Sequence, residues 1–224
     1  MTAALELRVT IAEHGPVSAL LTAPRDAAAC YVFAHGAGAG MAHPFMASLA
    51  DELAQRRIAT LRFNFPSMER QSKRPDAPPV AHAAVRAAVA EARRRLPALP
   101  LFAGGKSFGG RMTSQAQALA PLEGVRGLVF VGFPLHAAGK PSLDRARHLR
   151  DVRCPMLFLQ GTRDTLADLA LLREAIEPLG GRATLHVVDD ADHSFHVRAS
   201  SGGNDTQVRA ALAATIADWI ARSS

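Results

Sequence analysis

Short, nearly continuous apolar runs recur along the 224-residue chain, at residues 30–34, 58–65, 99–103, 125–133, 156–160 and 184–188. Between them the rhythm changes. Residues 44–57 place Phe45, Leu49 and Leu53 at helical spacing, and helices are likewise predicted over 80–96, 108–120, about 166–179 and 205–222. A strand that is apolar on both sides cannot face water, so strands of this kind belong in a mostly parallel sheet covered by helices on both faces. Two further strands come first. Residues 5–12 put Leu5, Leu7, Val9 and Ile11 on one face, and residues 17–23 follow a turn at His14-Gly15-Pro16. This pair is expected at an antiparallel edge, which brings the sheet to eight strands in an α/β arrangement. No repeat, low-complexity tract or linker divides the chain, so a single domain is expected over residues 1–224.

Composition narrows the class of protein. Much of the apolar content is alanine, which suits helices packed closely on a sheet. No apolar run approaches the roughly 18 to 20 residues of a membrane span. The first ten residues interleave Glu6 and Arg8 with Leu5, Leu7 and Val9, unlike a secretory signal. A cytoplasmic protein without a membrane partner is the expectation. Cys30 and Cys154 each stand at or beside the start of a strand, and are expected to be free thiols, not a disulfide or a metal site. The net charge of +6 raises nucleic acid as a partner. However, the densest cluster, Arg93-Arg94-Arg95, closes a predicted helix, where cations suit the negative end of the dipole. No aromatic residues interleave with it, so no nucleic-acid partner is expected.

In a parallel α/β sheet, ligands bind beyond the carboxyl ends of the strands, so the residues that follow each strand matter most. After residues 99–103 comes Gly104-Gly105-Lys106-Ser107-Phe108-Gly109-Gly110, which contains Gly-x-Ser-x-Gly. With 17 glycines in the chain the pattern alone says little; its position between a buried strand and a helix gives it weight. A nucleophile elbow holds its serine in a strained strand-to-helix turn, and only tiny residues on either side let the backbones pass. Gly105-Lys106-Ser107 also imitates the end of a phosphate loop, but such a loop needs glycine where Pro100 stands.

A serine hydroxyl is a weak nucleophile and needs a base, which in turn needs an acid to orient it. On this fold the acid and then the histidine follow the serine in the chain. Asp164 lies in the loop just past residues 156–160, and His193 lies past residues 184–188, in Asp189-Asp190-Ala191-Asp192-His193-Ser194-Phe195. Asp168 is expected inside the next helix and solvated, while Asp190 and Asp192 are too exposed to orient an imidazole. His193 is preferred to His196 because it comes first after the acidic turn, and His186 lies within its strand. The run His35-Gly36-Ala37-Gly38-Ala39-Gly40 follows the third strand, where the fold supplies an oxyanion donor. Gly36 and the backbone N–H groups of Ala37 and Phe108 are the expected oxyanion and substrate-binding elements. No metal or cofactor is expected.

The segments His35-Gly-Ala-Gly-Ala-Gly40, Arg62-Phe-Asn-Phe-Pro66, Gly104-Gly-Lys-Ser-Phe-Gly-Gly-Arg111, Pro134-Leu-His136, Gly139-Lys140-Pro141, Leu159-Gln-Gly-Thr-Arg-Asp164 and Asp192-His-Ser-Phe195 carry a resemblance. Together they resemble a predicted α/β-hydrolase family that includes a mammalian testis-expressed member and a regulatory subunit of a histone-acetylating complex. More distantly, they resemble dienelactone hydrolases, with Ser107 where those have cysteine. Ser67 stands where many relatives carry an aromatic residue. The resemblance implies the α/β-hydrolase fold and roles for Ser107, Asp164 and His193. Only about twenty residues separate Phe133 from Pro155, too few for a helical lid. Arg62, Lys73, Arg74, Lys106, Lys140 and Arg163 lie near strand ends, where they could favour an acidic acyl group or serve solubility. The expected function is a serine hydrolase for a small-molecule ester or thioester, acting as monomer or homodimer. The alternative, raised by the chromatin relative, is a non-catalytic scaffold that serves as an interaction module.

Overall fold

A computed structural model describes residues 2–223; Met1 and Ser224, the ends of the expected domain, lie outside them. Eight strands form one sheet: β1 (Leu5–Ile11), β2 (Gly15–Thr22), β3 (Ala29–Ala34), β4 (Ile58–Phe63), β5 (Leu101–Lys106), β6 (Val125–Val131), β7 (Met156–Gly161) and β8 (Ala183–Val188). Their order is β1-β2-β4-β3-β5-β6-β7-β8. β1 pairs antiparallel with β2, and β2 antiparallel with β4; every other pairing is parallel. The helices are α1 (Pro44–Ala54), α2 (Pro66–Glu69), α3 (Pro78–Arg95), α4 (Phe108–Leu119), α5 (Leu169–Ile176) and α6 (Asp205–Ser223).

Strand alternation explains the apolar runs. Cys30, Val32 and Ala34 of β3 join a core on one face of the sheet, while Ala29, Tyr31 and Phe33 join a core on the other. The first core is closed by α3, α4 and α5, the second by α1 and α6. Helix α3 turns Ala81, Ala84, Ala88 and Ala92 inward beside Val85 and Val89, so it lies close to the sheet. On the opposite face Trp219 of α6 meets Phe102 edge-on at 5.8 Å. Phe130, Phe133 and Phe158 form a fully buried aromatic group beneath the carboxyl ends of β6 and β7.

Several boundaries differ from the sequence expectation, each for a local reason. The first hairpin turns at residues 12–14, with Glu13 at φ 64°, and Gly15 and Pro16 already belong to β2. Pro16 is tolerated there because β4 pairs with β2 only over residues 19–22, leaving position 16 without a strand on that side. Strand β5 runs on through Gly104 and Gly105, paired by both β3 and β6, and Lys106, paired by β6, so the elbow begins later than residue 103. The loop at 66–79 opens with the single turn α2, and Pro78 and Pro79 start α3 instead of preceding it, since a first helical turn needs no N–H. Helix α5 covers only residues 169–176; Pro178 and Gly180 turn the remainder into a 3-10 segment. The stretch between β6 and β7 contains a 3-10 helix at Asp144–Asp151 and no lid.

The chain reverses its winding at the middle of the sheet. From β3 it passes through α1 to β4 on one side, then through α3 to β5 on the other. The loops after β3 and β5 therefore diverge and leave a crevice between them. The aromatic group below that crevice is the testable support of the fold. Phe158→Ala removes the ring that contacts Phe130 at 4.8 Å and Phe133 at 5.8 Å, and is expected to cost about 3–5 kcal/mol in urea unfolding.

Candidate active site

Ser107 stands at the divergence, between β5 and α4, with φ 49° and ψ −116°. A non-glycine residue in that conformation stores about 1–3 kcal/mol of strain, held in place by its surroundings. The surroundings are backbone. A Cβ on Gly105 would lie 2.4 Å from the Ala34 carbonyl oxygen, and one on Gly109 would lie 2.6 Å from the carbonyl oxygens of Ala34 and His35. The two glycines of the motif thus let β3 press directly on the turn.

The structure brings the three predicted residues together. Asp164 Oδ2 and His193 Nδ1 are 2.7 Å apart, and His193 Nε2 is 2.8 Å from Ser107 Oγ. A carboxylate only accepts, so Nδ1 carries the imidazole proton and Nε2 is the acceptor for the serine hydroxyl. The Asp164 side chain is 1% exposed and that of His193 23%, so the imidazole reaches solvent and the carboxylate does not.

The rival acids and histidines have other duties. Asp168, expected inside a helix, caps the start of α5 by accepting from the Leu171 N–H at 3.0 Å. Asp190 pairs with Arg198, whose hydrogen bonds hold its carboxyl below the usual range. Asp192 accepts from the N–H groups of Ser194 and His196, which fixes the loop that carries His193. His196 is exposed and bonded to Asp205, which raises its pKa. The His193 loop also contains two residues at positive φ, Asp190 and Phe195.

Two site residues escape motif reasoning. Gln160 is fully buried near the end of β7; its Oε1 accepts from the Phe133 N–H at 3.0 Å, so its amide nitrogen faces Asp164 Oδ2, at 2.5 Å. A polar residue inside an otherwise apolar strand was the signal that could have found it. His35 accepts the Phe65 N–H at Nε2, leaving Nδ1 to donate to the Gly36 carbonyl at 2.7 Å. Burial lowers the His35 pKa, which keeps that neutral form. Both bonds fix the Gly36–Ala37 peptide, whose opposite edge carries the Ala37 N–H. A Cβ on Gly36 would lie 3.7 Å from the Ser107 Cβ, so this peptide runs beside the serine. Phe108 opens α4, and its N–H is among those that an α-helix leaves without an internal partner.

A cavity of about 340 Å³ opens on Ser107 and His193. Ala39, Phe45, Met46 and Leu166 give it apolar walls, while Gly36, Ala37 and Lys106 lie beside the serine. Of the basic residues expected near strand ends, Lys106 lines this cavity. Arg62 is buried and donates to the Met41 carbonyl, Arg163 donates to the Asp190 carbonyl, and Lys73, Arg74 and Lys140 are exposed. Ser67 is buried on α2, and Phe65 supplies the aromatic contact nearby, edge-on to Phe108 at 5.3 Å. A larger groove of about 490 Å³ between α3 and the segment after α4 is lined by Arg86, Arg93, Arg94 and Glu123, with no serine, cysteine or histidine among its lining residues. Arg94 and Arg95 pair with Glu91, and Arg93 with Glu123. Cys30 is buried and Cys154 half-buried, both free thiols, and burial pushes Cys30 up to about 12. Among the described residues no group of three or more His, Cys, Asp or Glu side chains could hold a metal ion, and no helix is long and apolar enough to cross a membrane.

Residues 27–221 match the family model described as an alpha/beta hydrolase domain. The chain belongs to the alpha/beta hydrolase family. Its fold is similar to that of a dienelactone hydrolase from Anabaena variabilis, at 21% identity over 98% of this chain and 97% of that one, with a TM-score of 0.79. A serine hydrolase without a lid from Xanthomonas campestris aligns at 24% identity over 98% and 96%, with a TM-score of 0.74. The esterase domain of a Rhodothermus marinus protein aligns at 16% identity over 98% of each chain, also with a TM-score of 0.74. At these identities the likeness concerns the α/β-hydrolase fold.

Within this site, Gln160 gives a direct test of how the Asp164 carboxylate is held. Gln160→Leu leaves the buried Phe133 N–H without a partner and Asp164 Oδ2 with His193 alone, at an expected cost of about 1–3 kcal/mol for the unpaired N–H. Urea unfolding reads this loss, and an unchanged midpoint would contradict the network.

Proposed function

We propose that this chain is a serine hydrolase that cleaves a carboxylic ester or thioester of a small molecule through an acyl-enzyme. The observation that carries the reading is the unbroken line from the Asp164 carboxylate through His193 to Ser107, with 2.7 and 2.8 Å separations. In this reading His193 Nε2 takes the hydroxyl proton while Ser107 Oγ attacks the substrate carbonyl carbon. Asp164 holds the ring and balances the imidazolium that forms. The carbonyl oxygen becomes an oxyanion, stabilised by the Ala37 and Phe108 N–H groups beside Gly36. Collapse of the tetrahedral intermediate breaks the C–O or C–S bond, and His193 returns the proton to the departing alcohol or thiol. Water, activated by the same histidine, then attacks the acyl-serine and restores the enzyme. Every part needed is a side chain or amide of this chain, so the reaction calls for no cofactor.

Substrate size follows from the cavity. Its walls at Ala39, Phe45, Met46 and Leu166 suit an apolar group of modest length, and no lid covers it. The reading includes a small-molecule partner, a monomer or homodimer, and kinship with the family of the testis-expressed and histone-acetylation proteins. Retention of the strained Ser107 turn favours an enzyme over an interaction scaffold, for which that strain would serve nothing.

Reaction with a fluorophosphonate is expected to place one adduct on Ser107, located by mass spectrometry. Ser107→Ala should lower kcat on a short p-nitrophenyl ester by about 10³ or more. No adduct, no turnover and a stable protein partner in pull-downs would establish the scaffold instead. Among Asp164→Asn, Asp168→Asn, Asp190→Asn and Asp192→Asn, the first is expected to lose most activity. A variant set in which Asp164→Asn stays active and another fails would reassign the acid.

A further inference from the structure

Lys106 stands directly before the serine, and no step of the acyl transfer uses it. Its Nζ donates to the backbone carbonyl of His193 at 2.5 Å and lies 5.6 Å from the centre of the Phe195 ring. Two consecutive residues at the end of β5 therefore hold His193 at opposite ends, Lys106 by the main chain and Ser107 by Nε2. Space for the ammonium comes from Gly132, where a Cβ would lie 3.1 Å from Lys106 Nζ and 3.6 Å from His193 Cε1. We propose that Lys106 is a positioning residue whose ammonium clamps the loop bearing the general base onto the nucleophile elbow, so that the site keeps its working geometry only while that ammonium is charged. The proposal rests on the serine-hydrolase reading of the same site.

The loop is tied at its flanks, Asp190 to Thr162 and Arg163 and residues 196 and 197 to Asp205, and Lys106 adds a tie at His193 between them. The loop's hydrogen bonds from Asp192 and the Ala191–Val197 bridge are internal to it, and two of its residues hold positive φ. The Arg163 N–H reaches Ala191 from the β7 side, whereas Lys106 reaches His193 itself from the elbow. The charged and titratable groups that face the ammonium are Asp164 after β7 and Asp192 and His193 after β8. Gly36 after β3 lies against the Lys106 stem, and Gly132 after β6 lies against its Nζ.

The clamp works against burial. Desolvation lowers the Lys106 pKa to about 8, and the attraction of Asp164 and Asp192 offsets only part of that. As pH rises through about 8 the ammonium is lost. The neutral amine keeps a donor, but without the charge that makes such a bond roughly twice as strong. Stability moves the other way. The folded-state pKa lies below the ordinary lysine value of 10.5, so the unfolded chain holds the proton more tightly and this lysine's contribution to stability rises from about pH 8 to pH 10.5. A neutral apolar side chain at this position is thus expected to favour the fold at pH 7 while impairing the reaction, a combination that a merely structural tie does not produce.

The test compares the full chain with its Lys106→Met and Lys106→Arg variants. The readouts are the pH profile of p-nitrophenyl acetate hydrolysis, Tm, fluorophosphonate labelling of Ser107, and amide hydrogen exchange over residues 189–198. For Lys106→Met, loss of one charge-assisted bond predicts kcat about tenfold lower at pH 7 and exchange about tenfold faster. KM should change little, the alkaline decline above about pH 8 should disappear, and Tm should equal or exceed that of the parent. Because arginine stays charged, Lys106→Arg is expected to restore slow exchange and to carry the alkaline decline to higher pH. Wild-type kcat and exchange in Lys106→Met, a Tm that falls together with kcat, or an alkaline decline unmoved in Lys106→Arg would each overturn the clamp. If no ester is cleaved and Ser107 takes no fluorophosphonate, the hydrolase reading fails, while exchange over 189–198 still decides the clamp.

Discussion

Backbone pressed against backbone at residues 105–109 is the constraint on which the site depends. Helix α4 can begin within a residue of the end of β5 only because Gly105 and Gly109 leave room for the Ala34 and His35 carbonyls. That crowding forces Ser107 into its positive φ and aims its hydroxyl away from the sheet into the crevice. The same contact brings the β3 loop, with Gly36 and Ala37, alongside the serine. Strain and site are therefore one feature, stabilised by the two cores that hold β3 and β5 side by side.

From this point a hydrogen-bond line crosses the sheet. The Phe133 N–H after β6 meets Gln160 at the end of β7, which meets Asp164, which meets His193 after β8, which returns to Ser107 after β5. Four strand ends are joined by side chains whose donors and acceptors can be arranged in only one sense, because a backbone N–H opens the line and a carboxylate lies within it. Parallel strands make this possible, since their carboxyl ends all emerge on one edge of the sheet. Buried polar groups that are fully paired also hold each other rigid, which keeps the His193 imidazole within hydrogen-bond reach of Ser107.

Charge is handled differently at the site and on the surface. On the surface many arginines are paired locally, such as Arg94 and Arg95 with Glu91, and such exposed pairs are worth little to stability. Lys106 is the contrasting case. It brings an ammonium under the base-bearing loop, beside two carboxylates, at a cost that shows in its lowered pKa. A chain selected for stability alone would have little reason to keep it there.

The sequence by itself determined the α/β class, the eight strands, the antiparallel edge and the order of Ser107, Asp164 and His193, because each depends on local signals. Apolar runs report strands buried on both faces, and Gly-x-Ser-x-Gly reports a turn too tight for larger residues. Boundaries were less legible: β5 outruns its apolar stretch because pairing with β3 and β6 carries Gly104 and Gly105 as strand. Asp168 looked like part of a helix, yet caps it, since a cap is defined by where the first free N–H points. Only the tertiary structure decided that Gln160 supports the acid, that His35 steadies the Gly36–Ala37 peptide and that Lys106 holds His193 by its main chain. Those contacts join residues 4, 1 and 87 positions apart, in that order. Even the short-range ones depend on a side chain's direction into the crevice. That direction is set by packing of neighbouring strands, and no local pattern of residues encodes it.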